Sequence, residues 1–160
     1  MLRIALVCVG RVKAGPERTL AARYVDRAAA AGRVLGIGLE LREIGESRAR
    51  RPVDRKAEEA AAIRAQLVPE AALIALDEGG RSLDSAAFAQ LIGSTRDAGT
   101  QALGLLIGGA DGLDPALRQS ATATIAFGAM TWPHQLVRIM AAEQIYRAVT
   151  ILAGHPYHRA

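Results

Sequence analysis

Short apolar runs alternate along this chain with longer, alanine-rich stretches of helix-forming composition. Leu2 to Val9 reads as a strand and is followed by a polar turn. Glu17 to Ala30 predicts a helix, with Leu20, Tyr24 and Val25 available to pack inward. From Ile37 to Ile44 apolar and polar residues alternate, the period of a half-buried strand. A helix is expected from about Asp54 to Leu67, with Asp54 as its N-cap. Ala71 to Leu76 and Leu103 to Ile107 are continuous apolar runs, as parallel strands buried on both faces require. Between them, Leu76 to Gly80 is expected to turn the chain, and Asp84 to cap a helix reaching about Ala98. Asp114 and Pro115 supply an N-cap and a first residue for another helix, and Thr122 to Phe127 is the last strand. Strands alternating with helices give an α/β domain, its sheet mainly parallel with helices on both faces. No repeat or linker divides the 160 residues, so a single domain is expected.

The last predicted helix breaks the usual pattern. Pro133 suits its first turn, and after it Leu136, Val137, Ile139, Met140, Ile145, Tyr146, Val149 and Leu152 cover nearly the whole circumference. At roughly 100° per residue, His134 and Arg138 fall on one side, with Glu143 and Arg147 almost opposite. A helix apolar on most sides is buried on most sides, and a subunit interface is a natural second burial surface. His155, Pro156, Tyr157, His158 and Arg159 then form a dense polar cluster at the end, expected to be docked and functional.

Composition adds limits. No apolar run approaches the roughly 20 residues of a membrane span, and the first residues read as a strand rather than a secretory leader. The single cysteine, Cys8, lies inside that strand as a small buried residue, which fits a reducing cytoplasm. A net charge of +4 permits an acidic partner. The cations concentrate between Arg48 and Lys56, where Arg48, Arg50, Arg51, Arg55 and Lys56 face only Asp54. This loop is either a solvated surface or a cluster for phosphate contacts.

In an open α/β sheet, ligands bind beyond the carboxyl ends of the strands. Three segments leave such ends: Leu76 to Gly80, Ile107 to Gly112 and Phe127 to Trp132. The glycines do not follow G-x-G-x-x-G, and there is no P-loop lysine, so a dinucleotide or nucleoside triphosphate fingerprint is lacking. The third segment is apolar, and its backbone groups suit a flat neutral heterocycle such as adenine. His134, His155 and His158 invite a metal reading, but no carboxylate or thiol shares their motif, and no metal is expected. No serine sits in a nucleophile elbow.

Taken together, LDEGGRSLDSAAFAQLI, LIGGADGLDP, MTWPHQLVRIMAAEQIYRA and the final HPYHRA closely resemble the RlmH family of bacterial ribosomal RNA methyltransferases. The resemblance covers essentially the whole chain and is tightest from Leu105 onward. It implies a SPOUT-class fold with a C-terminal trefoil knot, a homodimer, and transfer of a methyl group from S-adenosylmethionine to N3 of a pseudouridine in 23S rRNA. So small a surface points to recognition of an assembled ribosome rather than a naked strand, and no membrane is expected as a partner. The cofactor contacts it implies are Leu76, Gly108, Phe127, Gly128, Ala129, Met130, Thr131 and Trp132. For the chemistry, Arg147 and Arg159 are candidates for anion and phosphate contacts, and His134, Glu143, Tyr157 and His158 for proton handling or base positioning. Glu143 with Arg147 also fits a simple i,i+4 ion pair. Asp111 stands where many relatives have Glu, and Trp132 is bulkier than the usual aliphatic residue. Two other readings share parts of the pattern: a SPOUT enzyme acting on another RNA such as tRNA, and a ribosome-binding factor without activity.

Overall fold

The computed structural model describes residues 1–159. Its order is β1 (Leu2–Val9), α1 (Pro16–Gly32), β2 (Ile37–Ile44), α2 (Pro52–Ala65), β3 (Ala72–Ser82), α3 (Ser85–Asp97), β4 (Ala102–Ile107), α4 (Pro115–Gln119), β5 (Ala123–Ala126) and α5 (His134–Leu152). The five strands form one sheet in the order β2-β1-β4-β3-β5, and every neighbouring pair is parallel. Parallel strands need crossover segments, and the helices supply them on both faces. Leu2, Ile4 and Leu6 point from β1 toward α1, α3 and α5, while Ala5, Val7 and Val9 point toward α2 and α4. The continuous apolar runs are explained by this two-sided burial. Among the described residues no helix is long and apolar enough to cross a membrane.

The structure corrects the expected elements in four places. β3 does not stop at Leu76: it runs to Ser82, and both Leu76 and Arg81 pair with Ile125. Residues 77–80 are therefore a bulge rather than a strand-ending turn. The bulge closes because Gly80 lies against the Ile125 backbone, where a Cβ would stand only 2.5 Å from the carbonyl carbon. α2 begins at Pro52, two residues earlier than expected, with Arg51 at the N-cap. Asp54 instead lies in the first turn and is held by Arg51 at 2.7 and 3.0 Å, where a carboxylate favours the positive end of the helix dipole. Pro133 is the N-cap of α5, with extended ψ, and His134 is the first helical residue. β5 is shorter than expected, Ala123–Ala126, and just before it Thr122 donates both its backbone N–H and its hydroxyl to the Leu73 carbonyl.

Asp84 and Asp114 do cap α3 and α4, accepting from the N–H of Ala87 and of Ala116 and Leu117. α5 buries Ala141, Ala142, Ile145, Ala148 and Val149 completely against α1, α3 and the sheet. Most of its unusual apolar circumference is therefore used within one subunit. Small alanines let the helices approach closely, and each fully buried Ile or Val contributes roughly 1.5–3 kcal/mol. The exception is Arg138, which is 2% exposed in the middle of this packing. Its guanidinium donates to Glu43 Oε2 at 2.6 Å and to the Gly10 carbonyl at 2.9 Å. Glu43 also accepts the Val12 N–H at 2.8 Å. One arginine thus ties the first turns of α5 to the carboxyl ends of β1 and β2.

Candidate active site

The bulge after Leu76, the glycine turn after Ile107 and the loop after Ala126 leave neighbouring strand ends, because β4, β3 and β5 are adjacent in the sheet. Together with the first turn of α5 they enclose a cleft of about 510 Å³. That size suits a nucleoside-scale ligand. Leu76, Ile107, Phe127 and Val137 give it apolar walls. Of the residues expected to hold a cofactor, Leu76, Gly108, Phe127, Gly128, Met130, Thr131 and Trp132 all line this cleft. Ala129 belongs to the same loop but does not line it.

Backbone geometry shapes the cleft. Gly109 and Gly112 form an antiparallel bridge, and the Gly112 N–H donates to the Gly109 carbonyl at 3.0 Å. Gly108 lies directly under this turn, where a Cβ would stand 2.7 Å from the Gly112 carbonyl carbon. Only glycine fits without moving backbone. Trp132 donates its indole N–H to the Phe127 carbonyl at 3.2 Å, closing residues 127–132 into a compact loop. Its bulk therefore serves the loop itself as well as the cleft wall.

Three carboxylates border the cleft, Asp77, Glu78 and Asp111, and the first and last are neutralised from outside. Asp77 pairs with Arg118 at 2.8 Å and accepts the Gly79 N–H at 3.1 Å. Burial alone would raise its pKa, but these two donors outweigh it and hold the carboxyl below its ordinary value. Asp111 is gripped by Arg55 at 2.7 and 3.1 Å, and this hydrogen-bonded pairing lowers its pKa. Sequence reasoning placed Asp77 and Asp111 in the right segments but did not find Arg118 or Arg55 as their partners. Neither pairing has a local spacing signal, since Arg118 is 41 and Arg55 is 56 residues away.

The expected catalytic residues separate into two groups. His134 lines the cleft and approaches Gly10, where a Cβ would lie 3.5 Å from its Nε2. Glu143, Arg147, Tyr157 and His158 come together elsewhere, from the middle of α5 to the tail beyond it, and none of them lines the cleft. Glu143 Oε1 is the hub: it accepts from Arg147 at 2.6 and 3.0 Å and from the Tyr157 hydroxyl at 3.1 Å. The Gln144 amide donates to Glu143 Oε2 at 2.8 Å. Arg147 also lies 3.2 Å from His158 Nδ1 and 4.8 Å from the centre of the Tyr157 ring. The Tyr157 ring packs on Tyr146, centroids 4.6 Å apart. The i,i+4 ion pair is present, and it also anchors the tail. Arg159 is exposed, and Ala160 lies outside the described residues. Burial, then the bond to Glu143, pushes the Tyr157 phenol up to about 12. The Glu143 hydrogen bond likewise raises the Arg147 pKa. The three histidines do not converge, since His134 opens α5 while His155 and His158 follow its end.

On the other side of α5 a second, largely apolar groove of about 580 Å³ is lined by Leu20, Tyr24, Phe88, Ile139, Met140 and Glu143, among others. It shares Ala126 and Phe127 with the cleft. Cys8 is fully buried in the sheet, where burial pushes its thiol up to about 12 and leaves it inert.

Residues 2–158 match the family described as Predicted SPOUT methyltransferase. The chain belongs to that family. It is 61% identical over 160 residues to the Ribosomal RNA large subunit methyltransferase H of Beijerinckia indica, covering 99% of this chain and all of that one. It is 60% identical over 159 residues to the protein of the same name from Methylocella silvestris, covering 99% of both. Among solved structures, a Probable Methyltransferase from Bordetella pertussis Tohama I shares the fold at a TM-score of 0.50 and 17% identity. That match covers 92% of this chain and 95% of the other. The RlmH resemblance read from the IGG, PHQLVR, EQIYRA and HPYHR segments is thus borne out across the chain.

Proposed function

We propose that this protein transfers a methyl group from S-adenosylmethionine to N3 of a pseudouridine in 23S rRNA, acting on assembled ribosomes. One observation carries the reading: the cleft at the carboxyl ends of β3, β4 and β5 is lined by most of the residues that the resemblance implies as cofactor contacts, in a chain alike from end to end to relatives named for large-subunit rRNA methylation. The residues present fit that cofactor. Leu76, Phe127 and Trp132 offer walls for an adenine ring, and the turns at Gly108 and from Gly128 to Thr131 offer backbone groups for its polar edges. When bound, S-adenosylmethionine supplies a methyl group already activated by its sulfonium.

The chain's own task is to align the imide nitrogen and take its proton. The methyl group then goes to N3, the proton leaves to a protein base or to water, and S-adenosylhomocysteine remains. Tyr157 keeps its proton until about pH 12, so it serves as a donor or a stacking surface rather than as the base. His134, Glu143 and His158 are the proton-handling candidates. Arg147 and Arg159 are assigned to the imide oxygens and to phosphate, where charge develops or already stands.

Glu143 and Arg147 lie nine and thirteen residues beyond His134 on α5, roughly 13 and roughly 20 Å at 1.5 Å per residue, and Tyr157 and His158 follow the end of the helix. A single subunit therefore does not bring its tail cluster to its own cleft. We include in this proposal the homodimer and the trefoil knot implied by family resemblance. In that dimer the tail of one subunit completes the cleft of its partner. The groove beside Ile139 and Met140 supplies an apolar surface for the contact.

The decisive experiment offers labelled S-adenosylmethionine to ribosomes lacking the modification, to protein-free rRNA and to bulk tRNA. Label recovered as N3-methylpseudouridine from ribosomes alone supports the proposal. Label only on tRNA overturns the substrate, and cofactor binding without label on any RNA overturns the enzymatic reading. For the dimer, mixing a cleft-dead Gly108→Val subunit with a tail-dead Glu143→Gln subunit should restore activity that neither has alone. If the mixture stays as inactive as its parts, the shared site is wrong.

A further inference from the structure

The arginine-rich loop does not present five equivalent cations. Arg51 is spent on Asp54 within its own helix start. Arg48 and Arg50 are exposed and form no ion pair among the described residues. Arg55 is turned inward and uses both edges of its guanidinium. Nε and Nη2 hold Asp111 in the cleft turn at 2.7 and 3.1 Å. Nη1 donates to the carbonyls of Ala49 and Arg50 at 3.1 and 2.9 Å. A planar fork is needed to reach a carboxylate on one side and two carbonyls on the other; an ammonium cannot do both.

A second contact joins the same two segments. Glu59 is 6% exposed and accepts the Ser47 N–H at 3.3 Å, while Glu58 accepts the Ser47 hydroxyl. Gly109 packs directly on the Glu59 carboxylate, where a Cβ would lie 3.3 Å from Oε2. The loop after β2 and the turn after β4 are thus fastened to each other twice, across the first residues of α2. The Arg55–Asp111 pair has both side chains only about a quarter exposed, so solvent competes with it weakly.

We propose that Arg55 is a positioning residue that locks the Arg48–Arg50 loop to the Gly108–Gly112 turn, so that RNA phosphate docking on the loop and cofactor binding in the cleft are coupled. This rests on the function proposed above. A phosphate engaging Arg48 and Arg50 steadies the segment whose carbonyls Arg55 holds. Arg55 in turn fixes Asp111, one residue from the Gly112 that closes the turn. Such coupling is reciprocal: cofactor in the cleft must favour the docked loop by the same factor.

The test compares wild type with Arg55→Lys, Asp111→Asn and Asp111→Glu, each checked for an intact melting transition. Amide exchange of residues 108–113 is measured in the free proteins. The affinity for labelled S-adenosylhomocysteine is then measured with and without unmodified ribosomes. Ribosomes should tighten its binding to wild type by about fivefold or more, the usual lower range of coupling. In Arg55→Lys and Asp111→Asn, exchange at 108–113 should quicken about tenfold and the tightening should vanish, while Asp111→Glu keeps both. Unchanged exchange in Arg55→Lys, or tightening that survives it, overturns the inference. So does a wild type that binds both partners with no tightening. If wild type binds neither S-adenosylhomocysteine nor ribosomes, the proposed function fails instead, and the exchange comparison still decides whether Arg55 positions the turn.

Discussion

The start of α5 and the cluster that joins its later half to the tail are built on different principles. At its start, the cleft is shaped by backbone: a glycine turn, a bulge and a loop closed by Trp132, with carboxylates neutralised by arginines behind them. From its middle onward, side chains of the helix and the tail converge on one acceptor, Glu143 Oε1, which takes hydrogen bonds from Arg147 and Tyr157. The first arrangement suits a ligand with a flat shape and neutral polar edges. The second concentrates charge and exchangeable protons. The helix between them acts as a ruler, and Arg138 fixes where that ruler begins.

Removing that fixture should have the largest effect. Arg138→Ala strips Glu43 of its charged partner, leaving it only the Val12 N–H, and removes the arginine donor from the Gly10 carbonyl. Breaking a buried ion pair costs about 3–5 kcal/mol, and the partial exposure of Glu43 places this one near the lower end. Urea unfolding should show a midpoint shift of that size with an unchanged slope. A loss below about 1 kcal/mol would mean that the two ends are held apart by apolar packing alone.

Next in size is a change at the cleft end only. Gly108→Ala forces a methyl group against the Gly112 backbone, a strain of about 1–3 kcal/mol. Affinity for S-adenosylmethionine should fall about 10- to 100-fold by calorimetry, while the Tyr157 tail stays docked. Should affinity hold, the ligand does not use this turn.

These two positions also mark what the sequence did and did not reveal. The parallel sheet, the caps at Asp84 and Asp114 and the three segments that line the cleft were legible, because apolar runs and capping residues act locally. The cleft walls followed, since strand ends adjacent in a sheet bring their loops together. Arg138 was not legible as a buried anchor: its partners lie in Glu43 and Gly10, and helical spacing alone suggested only a polar side. The bulge at 77–80 was missed for a similar reason, because Gly80 is demanded by a contact with Ile125 rather than by a local turn. The tail was expected to dock, yet the separation of Glu143 and Tyr157 from His134 appears only once the length of α5 is fixed.

A subtler probe acts on the tail end. Tyr157→Phe removes one donor to Glu143 and keeps the ring on Tyr146. The turnover rate should fall about tenfold, an amount set by one lost hydrogen bond of about 1.5 kcal/mol to a charged group, with cofactor affinity unchanged. The basic side of the pH–rate profile should keep its position, because the wild-type phenol does not titrate until about pH 12. A basic limb that moves in Tyr157→Phe would make the tyrosine an acid–base group after all.

The smallest effect returns to the cleft, at Asp77. Its folded pKa is lowered, so the folded protein holds fewer protons at this group than the unfolded chain does in mild acid. The resulting stability is fully present above the ordinary value of 3.8 and is lost as pH falls through the lowered folded value. Asp77→Asn keeps an oxygen to accept the Gly79 N–H but drops the charge that Arg118 pairs with. Because Arg118 is 41% exposed, the pair contributes less than about 1 kcal/mol. Wild type should therefore melt slightly above Asp77→Asn at pH 6, and the gap should close on acidification below pH 3.8. A gap that persists into strong acid would show that Asp77 supports the bulge by shape rather than by charge, which would make the cleft end wholly a matter of backbone geometry.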